Sequence, residues 1–120
     1  MNFVFVALGG AVGAMGRYGL SMIPIKSEFP LITLITNIIG AFLIGLIVGI
    51  ADKRSVSGNL MLFLKTGVCG GFTTFSTFSL ETYQLFERKA FLTGSIYAVS
   101  SVICCFFGVW CGKKFALLCR

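Results

Sequence analysis

The sequence predicts an all-α integral membrane protein with four transmembrane helices, and three observations carry that expectation. Of the 120 residues, 57% are hydrophobic and only 12% charged, with a mean hydropathy of +0.96. That is too little charge to cover a soluble domain of this length. The charge-free runs 1–16, 31–51, 66–80 and 90–112 approach or exceed the roughly 20 apolar residues of a membrane-spanning helix. The bases stand at the ends of these runs, as Lys26, Lys53, Arg54, Arg88, Lys89, Lys113 and Lys114. This is a juxtamembrane pattern, so the net charge of +6 does not point to nucleic acid.

Extending the first run past Arg17 and the third back through Lys65 gives spans of about 3–24, 31–51, 60–85 and 90–112. The connectors are short, so residues 1–120 form a single transmembrane domain with no room for a second, soluble one. A signal peptide is the alternative for the first run. It is discounted because no basic segment precedes the run and Arg17 follows it.

The first span reads GGAVGAMGRYG, with glycines at 9, 10, 13, 16 and 19. The second carries Gly45 and Gly49, and the fourth Gly108 and Gly112, both at small-xxx-small spacing. These are faces where backbones approach closely. Four helices packed about 8–10 Å apart fill their own interior, yet the chain holds more polar groups than a closed bundle needs, so a homo-oligomer is expected.

The polar groups recur at helical spacing. In the second span Thr33 and Asn37 share a face, and an unmet amide costs about 1–3 kcal/mol; interhelical glue is its ordinary use in a membrane. In the fourth span Thr93, Tyr97 and Ser101 repeat every four residues, with Ser100 beside them. Three polar stripes in one short chain suggest a hydrated track.

The third span contains GGFTTFSTFSLE, residues 70–81. Two glycines and two stiff threonines make a poor helix run, so a break at Gly70–Thr74 is expected. An intact helix with a Gly–Gly contact face is the alternative. A break inside a membrane exposes carbonyl oxygens that must find partners, and such carbonyls suit a small monovalent cation. After it, Phe72, Phe75 and Phe78 are spaced three apart, interleaved with Ser76, Thr77, Ser79 and Thr82. Phenylalanine stripes are usually packing surface. Ring edges beside hydroxyl donors can nevertheless line an anion's path without trapping it.

Two charges fall toward span ends on one side of the membrane. Glu81 needs a partner or water, and Arg17 is one candidate for it, an interfacial anchor being the other reading. An even number of spans puts Lys53, Arg54, Lys113, Lys114 and Arg120 on the side of the termini, with Lys65 as a sixth if it snorkels outward, against four opposite (Arg17, Lys26, Arg88 and Lys89). So faint a bias fits insertion both ways, and hence antiparallel pairing. It equally fits one orientation with cytoplasmic termini. Cys69, Cys104, Cys105, Cys111 and Cys119 show no metal-ligand spacing, and histidine is absent. With no carboxylate pair, catalytic set or phosphate loop, the sequence gives an enzyme or nucleotide-driven pump no chemistry to run on. A proton-coupled drug exporter would need a titratable acid within the membrane, and here the first span has none and Glu81 lies near a helix end; a non-transporting assembly subunit would lose stability and not an ion conductance when Asn37 or Phe75 is replaced.

GGFTTFSTFSLE, together with GGAVGAMGRYGL and TLITNIIGAFLIG, resembles the Fluc/CrcB family of small dual-topology fluoride channels. The likeness covers the first three spans strongly and the fourth mostly by character. It implies an antiparallel homodimer in the cell membrane that exports cytoplasmic fluoride passively through two pores at the subunit interface. It further implies a structural sodium ion on the backbone carbonyls of Gly70 and Thr73. Asn37, Phe75 and Phe78 would face the fluoride path, with Ser79, Tyr97 and Ser101 in the polar track. Arg17 would sit near the vestibule, and Glu81 matches the glutamate after the motif. Fluoride, as opposed to chloride or a cation, comes from this resemblance alone.

Overall fold

A computed structural model of the chain describes residues 2–118; Cys119 and Arg120, which entered the cysteine and charge readings, lie outside the described residues. The elements are α1 (Asn2–Ser21), α2 (Leu31–Lys53), α3 (Gly58–Met61), a π-helical segment (Leu62–Cys69), α4 (Gly70–Phe72), α5 (Phe75–Glu87) and α6 (Phe91–Leu118), with no strand among the described residues. Three helices, α1, α2 and α6, are long and apolar enough to cross a membrane. The expected third span is instead a relay of shorter pieces, from α3 to α5. None of them alone has the roughly 20 residues a crossing needs.

The glycine faces set the packing. A Cβ on Gly9 would strike the Phe63 carbonyl, and one on Gly13 the Val68 carbonyl, while Gly16 faces the Phe72 ring. Numbers rise together along both partners, so α1 and the interrupted segment run parallel. The same holds for α2 and α6: a Cβ on Gly45 would strike the Val109 carbonyl, and one on Gly49 would come 2.7 Å from Ala116 Cβ. Gly112 meets the Phe42 carbonyl from the other side. Backbones this close admit no side chain. Gly19 faces open space, so the first-span stripe is a contact face only in part.

Charged groups close the shared end of α2 and α6. Lys53 Nζ donates to the Leu117 carbonyl at 2.9 Å, meeting a free carbonyl at the helix end. Asp52 pairs with Lys113 at 3.3 Å across the same end. Helix α6 therefore continues past the charges that bound its apolar run. At the other end, α5 turns into α6 through Lys89, whose φ of 62° is the left-handed region.

Few side chains are buried within one chain. Leu34, Leu85 and Tyr97 form the core cluster, with Phe29, Ile38, Phe78 and Ala90 packed on it. Large apolar side chains lie outside instead, with Phe3 89% and Phe106 68% exposed. Water would not tolerate that surface, but hydrocarbon or a second chain would.

Candidate functional site

The helix interruption lies at Thr73–Thr74, narrower than the predicted Gly70–Thr74. Thr73 (φ −85°, ψ 157°) and Thr74 (φ −150°, ψ 117°) are both extended. Gly70 and Gly71 are helical, so the glycines do not make the break. Gly71 serves close packing, since a Cβ there would come 2.6 Å from the Gly10 carbonyl. The break is made by side chains that take over backbone donors. Thr74 N–H, which in an unbroken helix would serve the Gly70 carbonyl, donates to Asn37 Oδ1 at 2.9 Å. Asn37 Nδ2 in turn donates to the Thr74 carbonyl at 3.2 Å. Thr77 N–H, which would serve the Thr73 carbonyl, donates to Thr74 Oγ1 at 3.1 Å. Thr74 is thus the N-cap of α5, and the Gly70 and Thr73 carbonyls lose their helical donors.

Two further groups hold the broken ends. Arg17 Nε donates to the Gly71 carbonyl at 3.2 Å, so Arg17 is fixed to the end of α4. Thr73 Oγ1 donates to the Cys69 carbonyl at 2.9 Å, a bond back into its own helix.

Glu81 is held elsewhere. Thr33 Oγ1 donates to its Oε2 at 3.0 Å, and Tyr97 OH donates to its Oε1 at 3.0 Å. The candidate pairing of Arg17 with Glu81 is therefore corrected: two hydroxyls on α2 and α6 answer the carboxylate, while the guanidinium is engaged at the break. Tyr97 is fully buried, its ring 5.4 Å from Phe29 and 5.2 Å from Phe78 between centroids.

A cavity of about 590 Å³ opens beside the break. Asn37, Gly70, Thr73, Phe75, Phe78 and Ser101 all line it, so it gathers six of the ten predicted site residues. Phe75 stands 77% exposed at its edge, its ring 5.6 Å from Phe78. Ser101 is only 6% exposed, and its Oγ is buried without a hydrogen-bond partner. Arg17, Ser79, Glu81 and Tyr97 are not in the lining; Ser79 is exposed. Ser100 and Thr82 spend their hydroxyls on the carbonyls of Ile96 and Phe78, on their own helices.

Sequence reasoning spread the break over two glycines and two threonines without singling out Thr74 as the cap, and it missed Lys65, Cys69 and Cys105 as lining. A threonine just before the phenylalanine-serine run is a legible N-cap signal. The wide turns of the π segment left no such mark.

A chain that crosses the bilayer on α1, α2 and α6 and carries an interrupted helix between them is a multi-pass membrane protein. Residues 4–113 match the family model described as CrcB-like protein, Camphor Resistance (CrcB). The chain is 47% identical over 120 residues to a fluoride-specific ion channel FluC of Ruminiclostridium cellulolyticum, covering 97% of this chain and 92% of that protein. It is 42% identical to a protein of the same name in Agrobacterium fabrum, with 93% of each covered. It is likewise 42% identical to fluoride-specific ion channel FluC 2 of Staphylococcus saprophyticus, covering 95% and 98% respectively. The chain belongs to the CrcB-like family.

Proposed function

We propose that the protein is a fluoride-selective ion channel, not an enzyme, that lets cytoplasmic fluoride leave the cell down its electrochemical gradient. The observation that carries the reading is the interruption at Thr73–Thr74, where a helix gives up backbone donors beside a cavity that also holds an unpaired serine hydroxyl. The names of the relatives supply the ion.

On this reading the interrupted segment completes a fourth crossing, and residues 1–120 form one transmembrane domain. Two copies pair in inverted orientation across the face that carries Gly70, Phe75 and the cavity. In one copy nothing lies within 4 Å of a Cβ placed on Gly70, which leaves that face free for the second. Two such copies bring four donor-poor carbonyls together, from Gly70 and Thr73 of each. Oxygen donors without a carboxylate suit a monovalent hard cation, and those carbonyls would hold sodium, whose charge ties the two breaks together.

Fluoride is small and strongly hydrated, so its path must replace water with close donors. The Ser101 hydroxyl is free to donate, and Asn37 keeps one amide N–H beyond its bond to Thr74. Phe75 and Phe78 offer positive ring edges along the same wall. Ser79, Tyr97, Glu81 and Arg17 lie outside the cavity lining of one copy. Tyr97, anchored through its hydroxyl on Glu81, packs its ring on Phe78, and Arg17 braces the break near the vestibule. Ser79 joins the path only in the pair.

The test is ion efflux from liposomes that contain this protein alone. Passive fluoride flux that is insensitive to a pH gradient, lost without sodium and much slower for chloride is expected. Equal passage of chloride refutes selectivity, and flux driven by a proton gradient refutes a channel.

A further inference from the structure

One wall of the cavity carries a group that the pathway just described does not use. Lys65 lies in the π segment and lines the cavity. In a π-helix residues four and five apart share a face, which sets Lys65 beside Cys69 and Gly70, both lining residues. Lys65 is the only charged residue in that lining. Among the described residues it has no counter-ion: the one ion pair within 4 Å is Asp52 with Lys113. Asp52, the acid nearest in sequence, is thereby taken, and Glu81, the next, is engaged by Thr33 and Tyr97. An unpaired ammonium on a segment that runs alongside membrane-spanning helices is costly unless it meets water or an anion.

We propose that Lys65 is an anion-attracting residue at the mouth of the cavity, raising the local halide concentration next to the Ser101 hydroxyl. This rests on the channel reading above. A single charge about 10 Å from an anion raises its occupancy roughly two- to fourfold at low ionic strength. The gain vanishes when salt shortens the screening length to about 3 Å. A lysine that merely snorkels to the headgroups would leave entry untouched.

The experiment measures initial fluoride efflux from liposomes at about 10 mM and about 1 M ionic strength, with sodium held constant and an impermeant organic salt as ballast. Efflux through the unaltered protein should fall with salt. Lys65→Gln should lose two- to fourfold at low salt and match the unaltered protein at high salt. Lys65→Arg should restore the low-salt rate, and Lys65→Glu should fall below Lys65→Gln. Salt-independent efflux through the unaltered protein overturns the proposal without any variant. So does an equal loss in Lys65→Gln at both salts, which marks a packing defect, or no loss at either. Normal fluoride flux with an unaffected Lys65→Gln refutes this inference alone, whereas no fluoride flux through the unaltered protein refutes the channel reading beneath it.

Discussion

Asn37→Ala tests the reasoning most directly, because one side chain holds both sides of the Thr74 peptide. The substitution removes the bond from Thr74 N–H at 2.9 Å and the bond to the Thr74 carbonyl at 3.2 Å. Each is worth about 1 kcal/mol net, and an N–H left unmet in a water-poor site costs about 1–3 kcal/mol more. The expected loss is therefore about 3–5 kcal/mol before any relaxation. The chain can recover part of it by turning Thr74 N–H back to the Gly70 carbonyl, which closes the break and removes a proposed sodium ligand. Asn37→Asp keeps the acceptor but sets a carboxylate against the Thr74 carbonyl, so it should not rescue. The assay is thermal unfolding in detergent followed by circular dichroism, paired with fluoride efflux. An Asn37→Ala protein within about 0.5 kcal/mol of the original, with efflux intact, would show that the break does not depend on this amide.

Four other outcomes follow from named contacts. Tyr97→Phe removes one of two donors to Glu81 and should cost about 1–3 kcal/mol in the same melt; Glu81→Gln should cost a similar amount by turning an amide N–H toward a donor. Gly13→Val drives a side chain into the Val68 carbonyl and should lose about 1–3 kcal/mol or fail to assemble, whereas Gly19→Ala, with open space around it, should be neutral or slightly stabilising by melt. Lys89→Val should lower the melt by about 1 kcal/mol or more, because a β-branched residue resists the left-handed backbone, and Lys89→Gly should not. If the proposed pair holds sodium, replacing it with N-methylglucamine should destabilise the protein by about 1.4 kcal/mol for each tenfold of sodium above its dissociation constant; a melt indifferent to sodium would remove the ion from the proposal.

The helix ends show why parts of the site were legible and others were not. Asn37 could be singled out because an amide among apolar residues demands a partner. Which partner, the Thr74 backbone, depends on how α2 lies against the break. The glycines at 70 and 71 misled on the position of that break, since their missing side chains suggested weak helix when they serve close approach to α1. Arg17 and Glu81 could both be read as charges in need of partners. The sequence offered each to the other, and the fold separated them.

Composition and spacing alone determined that this chain lives in a bilayer, that three of its apolar runs form long helices, and that its polar groups gather on a few helix faces. These are properties of local runs, fixed by what hydrocarbon excludes. The tertiary structure alone decided that α1 runs parallel with the interrupted segment and α2 with α6, and that of the glycines and threonines expected at the break only the threonines carry it. It also decided which six of the ten expected site residues share a cavity. Those outcomes depend on which neighbours reach a freed backbone donor, and reach is set by packing across segments distant in the chain.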